Sequence, residues 1–192
     1  MRLRDDGSGA GILYVNLPAA KLSPGRVALR TTFNGGPSAG EREHRFEVAW
    51  PQRPMSLTKF DLAVDALQHI MPPAEFERLK DEGSSEAADH FRRFWAARSV
   101  DSSRAWNPVM LEYYRRVDET LRRYSVRSEP NGYKIDRGRI LILFGPPTRV
   151  DRSLRSGSGP METWTYDRLR KRFTFSDPDR TGVYVLIRTE EL

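Results

Sequence analysis

Apolar and polar residues change their rhythm twice along this chain. Between residues 11 and 50 the rhythm is two. GILYVNL (11–17) is a short apolar run, and in LSPGRVALRTTF (22–33) Val27, Leu29 and Thr31 alternate with Ala28, Arg30 and Thr32. EHRFEVAW (43–50) sets Phe46, Val48 and Trp50 on one side and Arg45 and Glu47 on the other. Such alternation predicts half-buried β-strands, broken at Pro24-Gly25 and at Asn34-Gly35-Gly36-Pro37. Three strands alone do not close a sandwich. They read as the tail of a β-sandwich or as a small sheet laid on helices.

After Pro51 and Pro54 the rhythm becomes three and four. Leu57, Phe60, Val64, Leu67 and Met71 form one helical stripe, with Ser56 as its expected N-cap. Pro72-Pro73 closes that helix and opens a second, AEFERLKD (74–81). A third, EAADHFRRFWAARS (86–99), puts Ala87, Phe91, Phe94, Trp95 and Arg98 on one face. Asn107-Pro108 starts a fourth, striped by Met110, Tyr113, Tyr114, Val117, Leu121 and Tyr124.

The last third returns to strands, at Arg139–Phe144, Glu162–Asp167, Arg172–Ser176 and Val183–Arg188, with a short addition at Thr148–Arg152. Ile140, Ile142 and Phe144 take one face of the first and Leu141 and Leu143 the other, which predicts a buried central strand. The fold class is α+β: helical segments followed by an antiparallel sheet, preceded by a partial β-sandwich remnant. The expected domains are residues 1–50, the end of an Ig-like β-sandwich, a linker at 51–55, and an α+β domain at 56–192.

The chain has 192 residues, no cysteine and a net charge of +6. Disulfides and thiolate metal sites are therefore excluded. No apolar run is long enough for a transmembrane helix. MRLRDD at the start lacks the apolar core of a signal peptide, and the sequence leaves open whether Met1 is the true start or the chain is a fragment. Arginine far outnumbers lysine, and the positive excess sits in the second half, mixed with acids.

Motif chemistry is sparse. His44, His69 and His90 fall on separate elements without metal-ligand spacing, so no metal and no cofactor is expected. Gly145-Pro146-Pro147 lacks the N–H donors of a phosphate cradle. Close acid pairs such as Asp177/Asp179 read as surface turns. Arg172, Phe173 and Phe175 suggest a nucleic-acid sheet, but the two rings share a face that the helices should cover.

The informative stretch is NGYKIDRGRILILFGPPTRV (131–150). Asp136 is read as holding a turn through backbone N–H groups, Gly138 as supplying an unusual backbone angle, and Arg137 and Arg139 as neutralising the carboxylate. With FRRFWAARSVDSS (91–103), NPVMLEYYRRV (107–117) and METWTY (161–166), it resembles the GWxTD domain of bacterial proteins. Gly132 and Asp136 match the motif; Tyr133 stands where Trp is expected and Ile135 where Thr is expected. DRGR, FGPP and the W-x-Y strand at Trp164 and Tyr166 also match. The resemblance implies a domain of unassigned activity, commonly in exported proteins behind β-sandwich modules, and so an envelope or extracellular location. It implies a structural role for Gly132, Tyr133, Ile135, Asp136, Arg137, Gly138, Gly145, Pro146, Pro147, Trp164 and Tyr166.

The functional expectation is a non-catalytic protein-interaction or structural module with an unidentified protein partner. Trp106, Arg115 and Arg116 are the contact candidates, Trp106 being read equally as core. One alternative is a hydrolase-type enzyme in which Asp136 converges with Asp118 or Asp101. The other is a nucleic-acid binder with an arginine-rich face.

Overall fold

Proline and glycine set many of the element boundaries. The computed structural model describes residues 2–5, 11–17, 22, 25–33, 40–48, 53–100, 107–155 and 159–192. They fall in two compact units, Met1–Gln52 with Val100–Asn107 and Arg53–Ser99 with Pro108–Leu192. In the first unit, β1 (Arg2–Asp5) pairs antiparallel with β2 (Gly11–Tyr14), and β3 (Gly25–Phe33) with β4 (Gly40–Val48). The alternation in β3 matches its burial: Val27, Leu29 and Thr31 are half-buried, and Ala28, Arg30 and Thr32 exposed. Strand β4 corrects the expectation of a half-buried strand, because residues 41–47 are exposed, Phe46 included. A two-stranded ribbon gives each strand one neighbour and little shelter. Trp50 and the 34–37 break lie outside the described residues.

The second unit begins with a 3-10 turn, Met55–Thr58, then α1 (Phe60–Asp65) and a second 3-10 turn, Ala66–His69. The single helix expected here is thus broken into three pieces, and Ser56 does not cap it. The Met55 and Ser56 N–H groups donate to Asp118, at 2.6 and 2.8 Å, and the Ser56 hydroxyl bonds to the Tyr114 carbonyl. A carboxylate from a distant helix does the capping. Part of the stripe faces inward, with Val64, Leu67 and Met71 buried, while Leu57 is half-buried and Phe60 exposed.

Three helices follow: α2 (Pro73–Asp81), α3 (Ser84–Ala96) and α4 (Pro108–Tyr124). Pro73 and Pro108 each occupy a first helical position, where the missing N–H would have had no partner in any case. On α3 and α4 the predicted stripes meet as an aromatic cluster. Trp95 lies 5.4 Å from both Phe94 and Tyr113 and 5.7 Å from Tyr114, centroid to centroid. The Tyr113 and Tyr114 hydroxyls donate to the Ala66 and Ala63 carbonyls, so the buried phenols are satisfied.

The expected central strand at 139–144 is instead a helix, α5 (Asp136–Phe144). Its apolar run is buried on several sides at once, and alternation cannot distinguish that from a buried strand. The helix signals lie at its ends. Asp136 sits in the first turn, where a negative charge complements the helix dipole. Gly145 ends the helix with φ 77, followed by two prolines. Ile142 joins the helical core with Tyr133, Tyr114 and Leu67. Ile140 and Leu141 join a second core with Trp164, Tyr166, Phe173 and Phe175. Helix α5 is therefore the wedge shared by two cores.

The second core is covered by a meander, β5 (Arg149–Arg155), β6 (Gly159–Tyr166), β7 (Lys171–Ser176) and β8 (Val185–Glu191), paired antiparallel in the order 5-6-7-8. Trp164 stands opposite Phe173, and Phe173 stacks on Phe144 of α5 at 5.3 Å. The aromatic face of this sheet is turned to the helix.

The close fit of α5 yields a prediction. A Cβ on Gly138 would lie 2.0 Å from the Gly132 carbonyl oxygen and 2.9 Å from Tyr133 Cα, both backbone. Gly138 is helical, so what it supplies is room for close approach, not the special backbone angle expected of it. Gly138→Ala is expected to cost about 3 kcal/mol or more in denaturant melts. Gly40→Ala, with open space around it, should stay within about 0.5 kcal/mol. Equal midpoints for the two variants would contradict this packing.

Candidate functional site

The motif segment enters α5 through a tight turn. A Cβ on Gly132 would meet the Thr120 carbonyl at 2.3 Å, so this turn lies directly against the end of α4. Tyr133 is buried, and its hydroxyl donates to Asp65 Oδ2 at 2.5 Å. Lys134 Nζ reaches the same oxygen at 2.7 Å. His69 Nε2 carries the proton it donates to the Tyr133 carbonyl, at 2.8 Å. Ile135 is buried in the N-cap position, and its carbonyl accepts the Arg139 N–H. The sequence did not link Asp65 or His69 to this tyrosine, because they lie 68 and 64 residues from it.

Asp136 bridges two elements. Its Oδ1 pairs with Arg139 at 2.9 Å, and its Oδ2 accepts the Leu186 N–H of β8 at 2.7 Å. The expected local turn bonds are replaced by a bond to a strand fifty residues away. Arg137 does not neutralise Asp136. It donates to Glu162 Oε2 at 3.0 Å and to the Gly182 carbonyl at 2.8 Å. Its guanidinium carbon lies 3.9 Å from the Tyr184 ring centroid and 4.8 Å from that of Tyr124. Glu162 also accepts the Trp164 Nε1–H at 3.0 Å. The Gly145 carbonyl accepts the Tyr166 hydroxyl at 2.8 Å, followed by an exposed Pro146 and a half-buried Pro147.

Among the contact candidates, Arg116 turns inward, donating to the Ile142 carbonyl at 3.0 Å while paired with Glu112. Arg115 is exposed on α4 beside Met55 and Leu121. Trp106 and Asp101 lie outside the described residues. Asp118 and Asp136 are not brought together: the first holds the Met55 turn and the second holds β8. His90 of α3 is buried between Glu82, 3.0 Å from Nδ1, and Glu75, 3.2 Å from Nε2. Each ring nitrogen faces a different carboxylate. Among the described residues no group of three or more such side chains is placed to hold a metal ion, and no helix is long and apolar enough to cross a membrane.

Beside the motif tyrosine opens a hollow of about 620 Å³, within the ~300–1,000 Å³ usual for ligand sites. Phe60, Val64 and Leu79 give it apolar walls; Asp65, Lys80 and Lys134 give it charge. Burial raises the Asp65 pKa, but hydrogen bonds from Lys134 and Tyr133 and the charges of Lys134 and Lys80 bring it below the ordinary 3.8. Burial, and then its bond to Asp65, push the Tyr133 phenol well up. The phenol therefore stays protonated and donating. Burial also holds the His69 imidazole below 6.5.

Residues 39–192 match the family model described as the GWxTD domain. The match covers most of the chain, which therefore belongs to the GWxTD-domain family. No curated protein and no solved structure matches it. The tyrosine in the motif's tryptophan position is thus a packed residue with its polar tip committed to Asp65.

Two outcomes test this site. Tyr133→Phe removes one partly buried bond to a carboxylate and is expected to cost about 1 kcal/mol at neutral pH. The Asp65 carboxyl titrates lower folded than unfolded, so its stabilisation is complete above 3.8 and is lost as pH falls through the folded value. The wild type should therefore lose stability below about pH 4 more steeply than Asp65→Asn. Parallel acid limbs for the two proteins would contradict the assignment.

Proposed function

We propose that this chain is a non-catalytic protein-binding module of bacterial envelope or secreted proteins, with the hollow beside Tyr133 as its contact face. One observation carries the reading: the charged side chains at 136, 137 and 139 are committed to internal partners. Asp136 bonds to Arg139 and Leu186, and Arg137 to Glu162 and Gly182. A general acid or base needs a titratable group free to meet a substrate. The hydrolase alternative is weakened because the Asp118 and Asp136 carboxylates are each spent on backbone N–H groups. The nucleic-acid alternative is weakened because Phe173 and Phe175 are buried against α5 and leave no stacking platform. The envelope or secreted setting follows from what is typical of the family.

The hollow combines aromatic and charged lining, Phe60 and Tyr133 with Lys80 and Lys134. Phe60 is 38% exposed, and Lys80 lines the same hollow. Cross-linking in the native host should recover a partner protein with the wild type and lose it with the double variant Phe60→Ser, Lys80→Glu. Turnover in a hydrolase panel that vanishes in a folded Asp136→Asn variant would contradict the reading.

A further inference from the structure

The two edges of the four-stranded sheet are finished differently. At β8, the Leu186 N–H is taken by Asp136 from α5. At the other edge, among the described residues, β5 has a partner on one side, β6, and residues 149–154 are all exposed. An edge strand carries a row of N–H and C=O groups that can template pairing with another chain.

The side chains of β5 decide which chain. Its sequence, RVDRSLR, has three arginines against one aspartate. Val150, Arg152 and Leu154 lie opposite Trp164, Glu162 and Pro160 of β6 and so share a face. Val150 is 37% and Leu154 74% exposed. The Arg152 side chain is also mostly exposed, reaching Glu162 only at 3.5 Å. Arg149 is held by Asp151 in an exposed ion pair, a weak contact that a new partner can replace.

A second copy of this chain fits less well than an acidic strand. Antiparallel pairing of β5 with itself in one continuous sheet keeps each face on its own side, so residues of one face oppose residues of the same face. Centred on Arg152, that pairing sets arginine against arginine; centred on Asp151, aspartate against aspartate; centred on Val150 or Ser153, it offsets Asp151 with Arg149 or Arg155 but still lays one arginine-rich strand beside another. Like charges directly opposite are destabilising. An acidic strand from a different protein meets no such penalty.

We infer that β5 accepts an extended, acidic segment of a partner protein as a fifth strand. Main-chain bonds supply the affinity, apolar side chains cover Val150 and Leu154, and carboxylates face Arg149 and Arg152. The inference rests on the protein-binding reading but places a contact away from the hollow.

The test uses the full chain, isotope-labelled, titrated by NMR with the blocked peptide Glu-Val-Thr-Glu-Thr-Val-Glu, equal in length to the seven residues of β5. Its palindromic order suits either strand direction. Amide shifts and slowed hydrogen exchange centred on residues 149–154 are expected. The same peptide with lysine for glutamate should not bind. The double variant Arg149→Glu, Arg152→Glu should bind the acidic peptide at least about tenfold more weakly and gain affinity for the lysine peptide. Equal binding of both peptides, or no response at β5 at millimolar peptide, would overturn the inference. So would concentration-dependent protection of β5 without peptide, which would mean pairing between copies. Binding that protects only the residues around Tyr133 would overturn the edge site while leaving the protein-binding reading intact.

Discussion

The buried ion pair between Arg137 and Glu162 is the constraint on which the motif domain is organised. It joins α5 to β6, and the guanidinium also bonds to the Gly182 carbonyl and packs on Tyr184, ahead of β8, and on Tyr124 of α4. Four parts of the chain are thus fixed by one planar cation. Lysine does not substitute for it, because a point charge lacks both the flat face and the fork of donors. Glu162 is nearly as occupied, taking Trp164 on its other oxygen. Both partners are largely buried, with side chains 12% and 7% exposed. Desolvating two charges is expensive, so such a pair adds little net stability. Removing one member leaves a buried charge and is severe. The pair therefore acts mainly as a device that admits one arrangement of helix and sheet.

The other motif residues follow from that arrangement. Helix α5 must approach its own entry turn closely, which the Gly132 and Gly138 contacts make possible. Its far end must stop abruptly so that β5 can begin, and Gly145 provides the break while its carbonyl receives Tyr166. Arg116 from α4 ties down the Ile142 carbonyl just before the break. Tyr133 fixes the entry turn to α1 through Asp65, and His69 holds the same turn by its carbonyl. In this chain the signature residues sit at a joint between two cores, where Tyr133, Asp136 and Arg137 each bond to another element.

Local signals told much of this in advance. The starts of α2 and α4 were legible because proline marks a first turn, and the aromatic stripe on α4 because it recurs at helical spacing. The face shared by Phe173 and Phe175 was legible from alternation. Helix α5 was misread because a run apolar on every side carries no period; the better evidence lay in the aspartate at its start and the Gly-Pro-Pro at its end. The partners of the motif were not legible. Asp65, His69 and Glu162 reach it through tertiary packing, and no spacing rule connects residues that far apart. The special role of Glu162 had one faint trace, a carboxylate two residues before Trp164 on a strand whose matching face is aromatic.

A double-mutant cycle on Arg137 and Glu162 tests the central claim most directly, using equilibrium unfolding of Arg137→Met, Glu162→Gln and the double variant. Arg137→Met alone should cost about 3–5 kcal/mol because it strands the carboxylate. In that background Glu162→Gln should cost far less than it does in the wild type, giving a coupling energy of about 2 kcal/mol or more. Single effects that add to within about 0.5 kcal/mol would mean that the two residues act independently, and the account of the motif as a joint built around them would be wrong.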